Sequence, residues 1–104
     1  MQKQITSIYG YQQITSLSSA TGLTVPTTDI SGLVGSPVVA IIRCETQGVR
    51  WRDDGVAPTA AIGFPLSPGD VLEYDGDLKR IKFIQQAASS TLNVVYYSWK
   101  STHQ

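Results

Sequence analysis

A chain of 104 residues with eight basic and eight acidic side chains, 41% hydrophobic residues and no net charge has the make-up of one ordinary globular domain, which excludes a disordered polyelectrolyte and two independent cores. No apolar run approaches the ~18 residues of a membrane span, and Met1-Gln2-Lys3-Gln4 has no apolar stretch behind it to act as a signal peptide, so synthesis in the cytoplasm and no membrane partner are expected. One cysteine (Cys44) and one histidine (His103) build neither an intramolecular disulfide nor a zinc site of the usual N/S type, and no cofactor is expected.

Of the sixteen charged residues only Lys3 and Asp29 fall in the first 37 positions. That segment is rich in Ser, Thr and Gln, with isolated apolar residues at Ile5, Ile8, Ile14, Leu17, Leu23, Val25 and Ile30, and reads as extended polar chain. The spacing of Ile14 and Leu17 would suit a helix. Thr15, Ser16, Ser18, Ser19, Thr21 and Gly22 compete against helical backbone, and Pro26 blocks its continuation. Short strands over 13–17 and 23–25 are predicted instead.

Val38-Val39-Ala40-Ile41-Ile42 is a continuous, largely β-branched run and predicts a central strand, with Cys44 as an inert thiol on the face of Ala40 and Ile42. Val49-Arg50-Trp51-Arg52 alternates strictly, placing both arginines on one face. Asp53-Asp54-Gly55 predicts a reversal, and Ser67-Pro68-Gly69-Asp70 has Pro and Gly where a type II turn requires them. Val71–Tyr74 resumes a strand before the Asp75-Gly76 turn, for which a positive φ at Gly76 is expected. A single helical turn over 77–80, a strand over 81–85, a turn over 87–91 and a closing strand over 92–99 follow. Leu92, Val94 and Tyr96 lie on one face of that last strand and Asn93, Val95 and Tyr97 on the other, which places it inside a sheet or against a partner.

Five or six short strands without a convincing helix predict an all-β domain, a small antiparallel β-sandwich or barrel, with an extended polar N-terminal arm over residues 1–12 and a single domain over 13–104. Catalysis is not expected, because His103 sits one residue from the C-terminus and no other imidazole offers a base. The Asp53-Asp54-Gly55 and Asp75-Gly76-Asp77 groups lack the frame of a calcium loop and are explained by turn chemistry. Lys79, Arg80 and Lys82 form a small basic group, but seven basic and seven acidic residues share positions 38–104, so no nucleic-acid partner is expected. Arg50 and Arg52, whose planar forks suit carboxylates, and Tyr97 and Trp99 are the candidate protein-interface residues. Asp54, Gly55, Gly69, Asp75 and Gly76 are the candidate structural turn residues.

Val49-Arg50-Trp51-Arg52-Asp53-Asp54-Gly55-Val56-Ala57-Pro58-Thr59, then Leu66-Ser67-Pro68-Gly69-Asp70, Tyr74-Asp75-Gly76-Asp77-Leu78, Ile81-Lys82-Phe83-Ile84 and Leu92-Asn93-Val94-Val95-Tyr96-Tyr97 together resemble a family of small virion structural proteins of tailed bacteriophages and prophages. The resemblance covers about positions 38 to 97 and implies a non-enzymatic component of the head or neck region, present in the virion and made in the host bacterial cytoplasm. It implies as partners the portal or connector, the major capsid protein or neighbouring neck proteins, and copies of the chain itself. A collar subunit that closes a ring at the head–tail connection is the first expectation and capsid decoration the alternative. A carbohydrate-binding module for host adhesion, with aromatic platforms at Trp51, Tyr97 or Trp99, is a further reading.

Overall fold

The computed structural model describes residues 3–101. Among them lie eight strands: β1 (Lys3–Ile14), β2 (Thr21–Gly22), β3 (Val39–Glu45), β4 (Val49–Arg52), β5 (Phe64–Leu66), β6 (Val71–Tyr74), β7 (Lys82–Gln85) and β8 (Thr91–Ser101). They form two four-stranded sheets, ordered β1-β8-β3-β6 and β2-β7-β4-β5, with every neighbouring pair antiparallel. The sheets keep separate edges, so the architecture is a sandwich and not a closed barrel.

Alternation decides what each sheet buries. Ala40, Ile42 and Cys44 of β3 pair with Tyr96, Val94 and Leu92 of β8 on the inner face of the first sheet. Val49, Leu66 and Phe83 come from the second sheet, and Leu17, Leu78 and Ile81 close the core from connecting segments. Phe83 and Tyr96 are the largest fully buried side chains. Burial of a phenylalanine of that kind stabilises by about 1.5–3 kcal/mol. The Tyr96 hydroxyl keeps a partner inside the core by donating to Gln12 Oε1 at 2.6 Å, which also accepts from the Thr24 amide at 3.2 Å.

The strands β4 and β6 coincide with the alternating run Val49–Arg52 and the turn-bounded run Val71–Tyr74. The type II turn is present: Gly69 has φ +90° and the Asp70 amide donates to Ser67 O at 2.9 Å. The 77–80 segment is a single hydrogen-bonded turn, in which Asp77 O accepts from the Arg80 and Ile81 amides at 3.0 and 3.2 Å. β8 lies between β1 and β3, with Leu92, Val94 and Tyr96 in the core and Val95 and Tyr97 half-buried on the outer face.

Four expectations need correction. The first two strands are shifted: β1 ends at Ile14, and Leu17 enters the core from a loop whose carbonyl accepts from the Gln85 amide at 2.9 Å. The pairing next to β7 falls at Thr21–Gly22, with Leu23 and Val25 packed against the core margin. The boundary drawn at residue 12 falls inside β1, because Gln12 and Ile14 continue the ladder opposite Val94 and Leu92. The described part of the expected arm, from Lys3, is therefore an edge strand of the domain's own sheet. Finally, Gly76 has no positive φ among the described glycines; it is small for a different reason, since a Cβ there would lie 2.5 Å from the Tyr74 hydroxyl.

Candidate functional site

The register of the first sheet assigns its outer face row by row. Ile8, Tyr97 and Val39 stand opposite one another across β1, β8 and β3, followed by the row Tyr11, Val95, Ile41 and Glu73. The row beyond is Gln13, Asn93, Arg43 and Val71. The outer face of an antiparallel sandwich is ordinarily polar. Here two successive rows are mainly apolar: Val39 is fully buried and Ile41, Val95 and Tyr97 half-buried, while Tyr11 is 61% and Ile8 45% exposed on β1. The Tyr11 hydroxyl donates to Asn93 Oδ1, which Gln13 also reaches at 3.2 Å, so the polar row braces the tyrosine ring over the sheet.

A loop between β2 and β3 extends this surface. Asp29 Oδ1 accepts from the Ser31 amide at 2.9 Å, the Ser31 hydroxyl at 2.6 Å and the Leu33 amide at 3.0 Å, and these bonds hold its carboxyl below the usual carboxylate range, the Ser31 hydroxyl contributing most. A bridge between Thr28 and Val34 closes the loop. Ile30, Leu33 and Val34 are all exposed on it, Val34 at 89%. The Ile30 amide donates to Ile8 O at 3.1 Å, so the loop joins the apolar face at the edge strand. Sequence reasoning, reading the first 37 positions as polar chain, took Ile30 as an isolated apolar residue and passed over Leu33 and Val34; the Asp29-Ile30-Ser31-Gly32 turn signature was the available signal.

Beyond Tyr97 the sheet narrows. β3 pairs with β8 no further than Val39 opposite Tyr97, whereas β1 continues from Ser7 opposite Ser98 to Lys3 opposite Ser101. This two-stranded ribbon stands outside the four-stranded sheet. A strand of 12 residues spans about 40 Å at ~3.3 Å per residue, in keeping with the 46 Å long axis of the molecule.

The interface residues expected from the sequence are not brought together. Tyr97 is on the outer face, half-buried. Trp99 stands opposite Ile5 in the ladder; its side chain, like the whole of His103, lies outside the described residues. Arg50 and Arg52 sit on the other sheet and are engaged within the chain. Arg50 donates to Ala60 O at 3.1 Å and Gly63 O at 2.9 Å, pinning the 53–63 loop. Arg52 grips Asp54 with two bonds, Nε to Oδ1 at 3.0 Å and Nη2 to Oδ2 at 2.6 Å. That grip lowers the Asp54 carboxyl to about 2 and raises the Arg52 guanidinium. Carboxylate pairing was expected of both arginines and is found at Arg52, while Arg50 takes backbone carbonyls.

Trp51 packs between Phe64, at 5.4 Å and 31°, and Tyr74, edge-on at 6.0 Å and 65°. The Tyr74 hydroxyl donates to Asp53 Oδ2 at 2.6 Å; desolvation, followed by this neighbour, pushes its pKa up. Trp51 and Phe64 border an open cleft of about 380 Å³ with Arg52, Asp53, Asp54 and Ile62. Cys44 is fully buried, its thiol donating to Gln47 O at 3.0 Å, and burial raises its pKa. Among the described residues no group of three or more His, Cys, Asp or Glu side chains is placed to hold a metal ion.

Against models of known protein families, curated proteins and solved structures, the chain finds no match.

Proposed function

We propose that the protein is a non-enzymatic structural component of a tailed-bacteriophage virion, a neck or collar subunit that assembles symmetrically at the head–tail connection. The observation that carries the assembly reading is the exposed apolar side of β1, Ile8 and Tyr11, continued by Ile30, Leu33 and Val34 on the Asp29 loop. A contiguous apolar surface rimmed by polar residues marks a protein contact. The projecting β1–β8 ribbon supports it, because a two-stranded ribbon is marginal in water by itself and gains by pairing with a neighbour. The virion setting rests on the motif resemblance over positions 38 to 97. A collar needs heterologous contacts that close a ring.

The test is to quantify the protein by mass spectrometry against the major capsid protein in purified, washed particles. A copy number matching one ring supports the collar. A number that scales with the shell makes the protein a decoration subunit, and absence from washed particles overturns the virion reading. Tyr11→Lys or Val34→Asp, both on exposed positions, is expected to lower incorporation without unfolding the domain.

A carbohydrate-binding module is the second reading, favoured by the Trp51–Phe64 cleft with its Arg and Asp rim. It requires quenching of tryptophan fluorescence by host polysaccharide and loss of that quenching in Phe64→Ala. Silence across a broad glycan panel leaves assembly.

A further inference from the structure

We infer that a groove at the outer surface of the second sheet is a socket for a carboxylate-bearing segment of a neighbouring protein subunit. The groove, about 360 Å³, runs between the turn after β4 and the β6–β7 turn and is lined by Gly55, Val56, Ala57, Asp77, Lys79, Arg80 and Lys82. Three cations thus face one carboxylate in a chain whose overall charge is zero.

The sheet register adds to the imbalance. Lys82 of β7 stands directly opposite Arg52 of β4, and like charges in that arrangement repel. Arg52 is compensated by its two bonds to Asp54. Lys82 and Lys79 have no ion pair among the described residues. With Arg52 neutralised, Lys82 and Lys79 are the charges left for an incoming anion to pair with.

Arg80 stands beside the groove with most of its guanidinium free. Asp77 Oδ2 lies 3.4 Å from its Nε, while Asp77 Oδ1 accepts from the Lys79 amide at 3.0 Å. That engages one side of the guanidinium and leaves its Nη groups without a hydrogen-bond acceptor among the described residues. Gly55 lets the fork lie against the loop, since Nη1 is 3.3 Å from where a Cβ would stand. A planar fork presented this way suits a carboxylate bidentately. Exposed Val56 adds an apolar wall for the methylenes of a glutamate.

The surroundings favour a short acidic segment over a nucleic acid. Asp53 and Asp54 follow β4, and Asp75 follows β6, whose Tyr74 hydroxyl reaches Asp53 at 2.6 Å, and Asp75 lines a neighbouring cleft with Asp77 and Lys79. They repel an extended polyanion, whose binding relies on neutralising a run of phosphates, yet leave room for one or two carboxylates in the groove. That the partner is a subunit of an assembly rests on the function proposed above; the groove's chemistry does not.

The experiment is a two-dimensional amide NMR titration of the full chain with acetyl-Glu-Glu-Glu-amide, its glutamine counterpart, inorganic phosphate and a short single-stranded oligonucleotide. Saturable shifts confined to 55–57 and 77–82 are expected with the glutamate peptide and not with the glutamine one. Arg80→Gln and Lys82→Gln, both at exposed positions, should each weaken binding roughly three- to tenfold, with the rest of the spectrum unmoved. No saturable shift, or equal shifts with the glutamine peptide, overturns the socket. Tighter binding of the oligonucleotide, or phosphate binding as tight as the peptide's, overturns the acidic-protein assignment in favour of a nucleic-acid or free-anion site. Particle copy number does not enter this titration, so failure here and failure of the virion reading are told apart.

Discussion

Gly76→Ala isolates a steric argument that the turn's sequence does not contain. The Tyr74 ring is held by its hydroxyl bond to Asp53 at 2.6 Å and by its edge contact with Trp51. A Cβ on Gly76 would stand 2.5 Å from the Tyr74 Oη, 2.6 Å from Cζ and 3.0 Å from Cε1. Rotating the ring away breaks a hydrogen bond to a carboxylate, worth about 1.5–3 kcal/mol, and leaving it forces overpacking worth about 1–3 kcal/mol. These are alternatives and the protein takes the cheaper, so the expected loss is about 1–3 kcal/mol, a substantial share of the roughly 5–10 kcal/mol typical of a domain this size. The midpoint of thermal unfolding should fall by about 5–20 °C. Urea unfolding followed by tryptophan fluorescence and far-UV circular dichroism measures it. The same substitution in a Tyr74→Ala background, where the obstructing ring is gone, should cost less than about 1 kcal/mol, because Gly76 lies outside the left-handed region and alanine is tolerated there. A single-mutant cost below about 0.5 kcal/mol, or equal costs in the two backgrounds, refutes the reasoning.

The Cys44 thiol, buried and with a raised pKa, is expected to resist a thiol-specific disulfide reagent at pH 8 in the native protein and to react promptly in urea; rapid labelling of the folded chain would show an open path to it. The Asp54 carboxyl should titrate near about 2 by carbon NMR and return toward its ordinary 3.8 in Arg52→Gln. Since its folded-state value is depressed, the stabilisation it contributes is present above about pH 4 and is lost as pH falls toward 2; an unshifted midpoint in the wild type would deny the ion pair in solution. Deleting residues 1–7 removes the ribbon's β1 strand and should leave the melting temperature within about 5 °C, whereas deleting 1–12 also removes Gln12, the acceptor for Tyr96, and should lower it by more than about 10 °C. Equal effects of the two deletions would place Gln12 outside the cooperative core.

The all-β class was legible because β-branched runs and turn residues act locally. Val49–Arg52 alternates, Val71–Tyr74 is bounded by Gly69-Asp70 and Asp75-Gly76, and a type II turn at Gly69 follows from steric rules on two adjacent residues. The first 37 residues were less legible because their order comes from distant partners. Gln12 is ordered by Tyr96, Leu17 by the β7 backbone, and the Asp29 loop by the carbonyl of Ile8.

The candidate site divides the same way. Arg52 finding a carboxylate, Cys44 turning inward and β8 needing cover on both sides all follow from composition and period 2 within single strands. Which residues share the outer face of the first sheet depends on the order β1-β8-β3-β6, which joins strands up to 98 positions apart, as at Lys3 and Ser101. The opposition of Arg52 and Lys82 depends likewise on the register of β4 with β7. Local sequence thus determined the strands, their turns and their apolar faces, since those answer to neighbours along the chain. Tertiary structure decided which faces meet, which stay uncovered and why Gly76 is small, since those answer to side chains brought together only when the two sheets close over a common core.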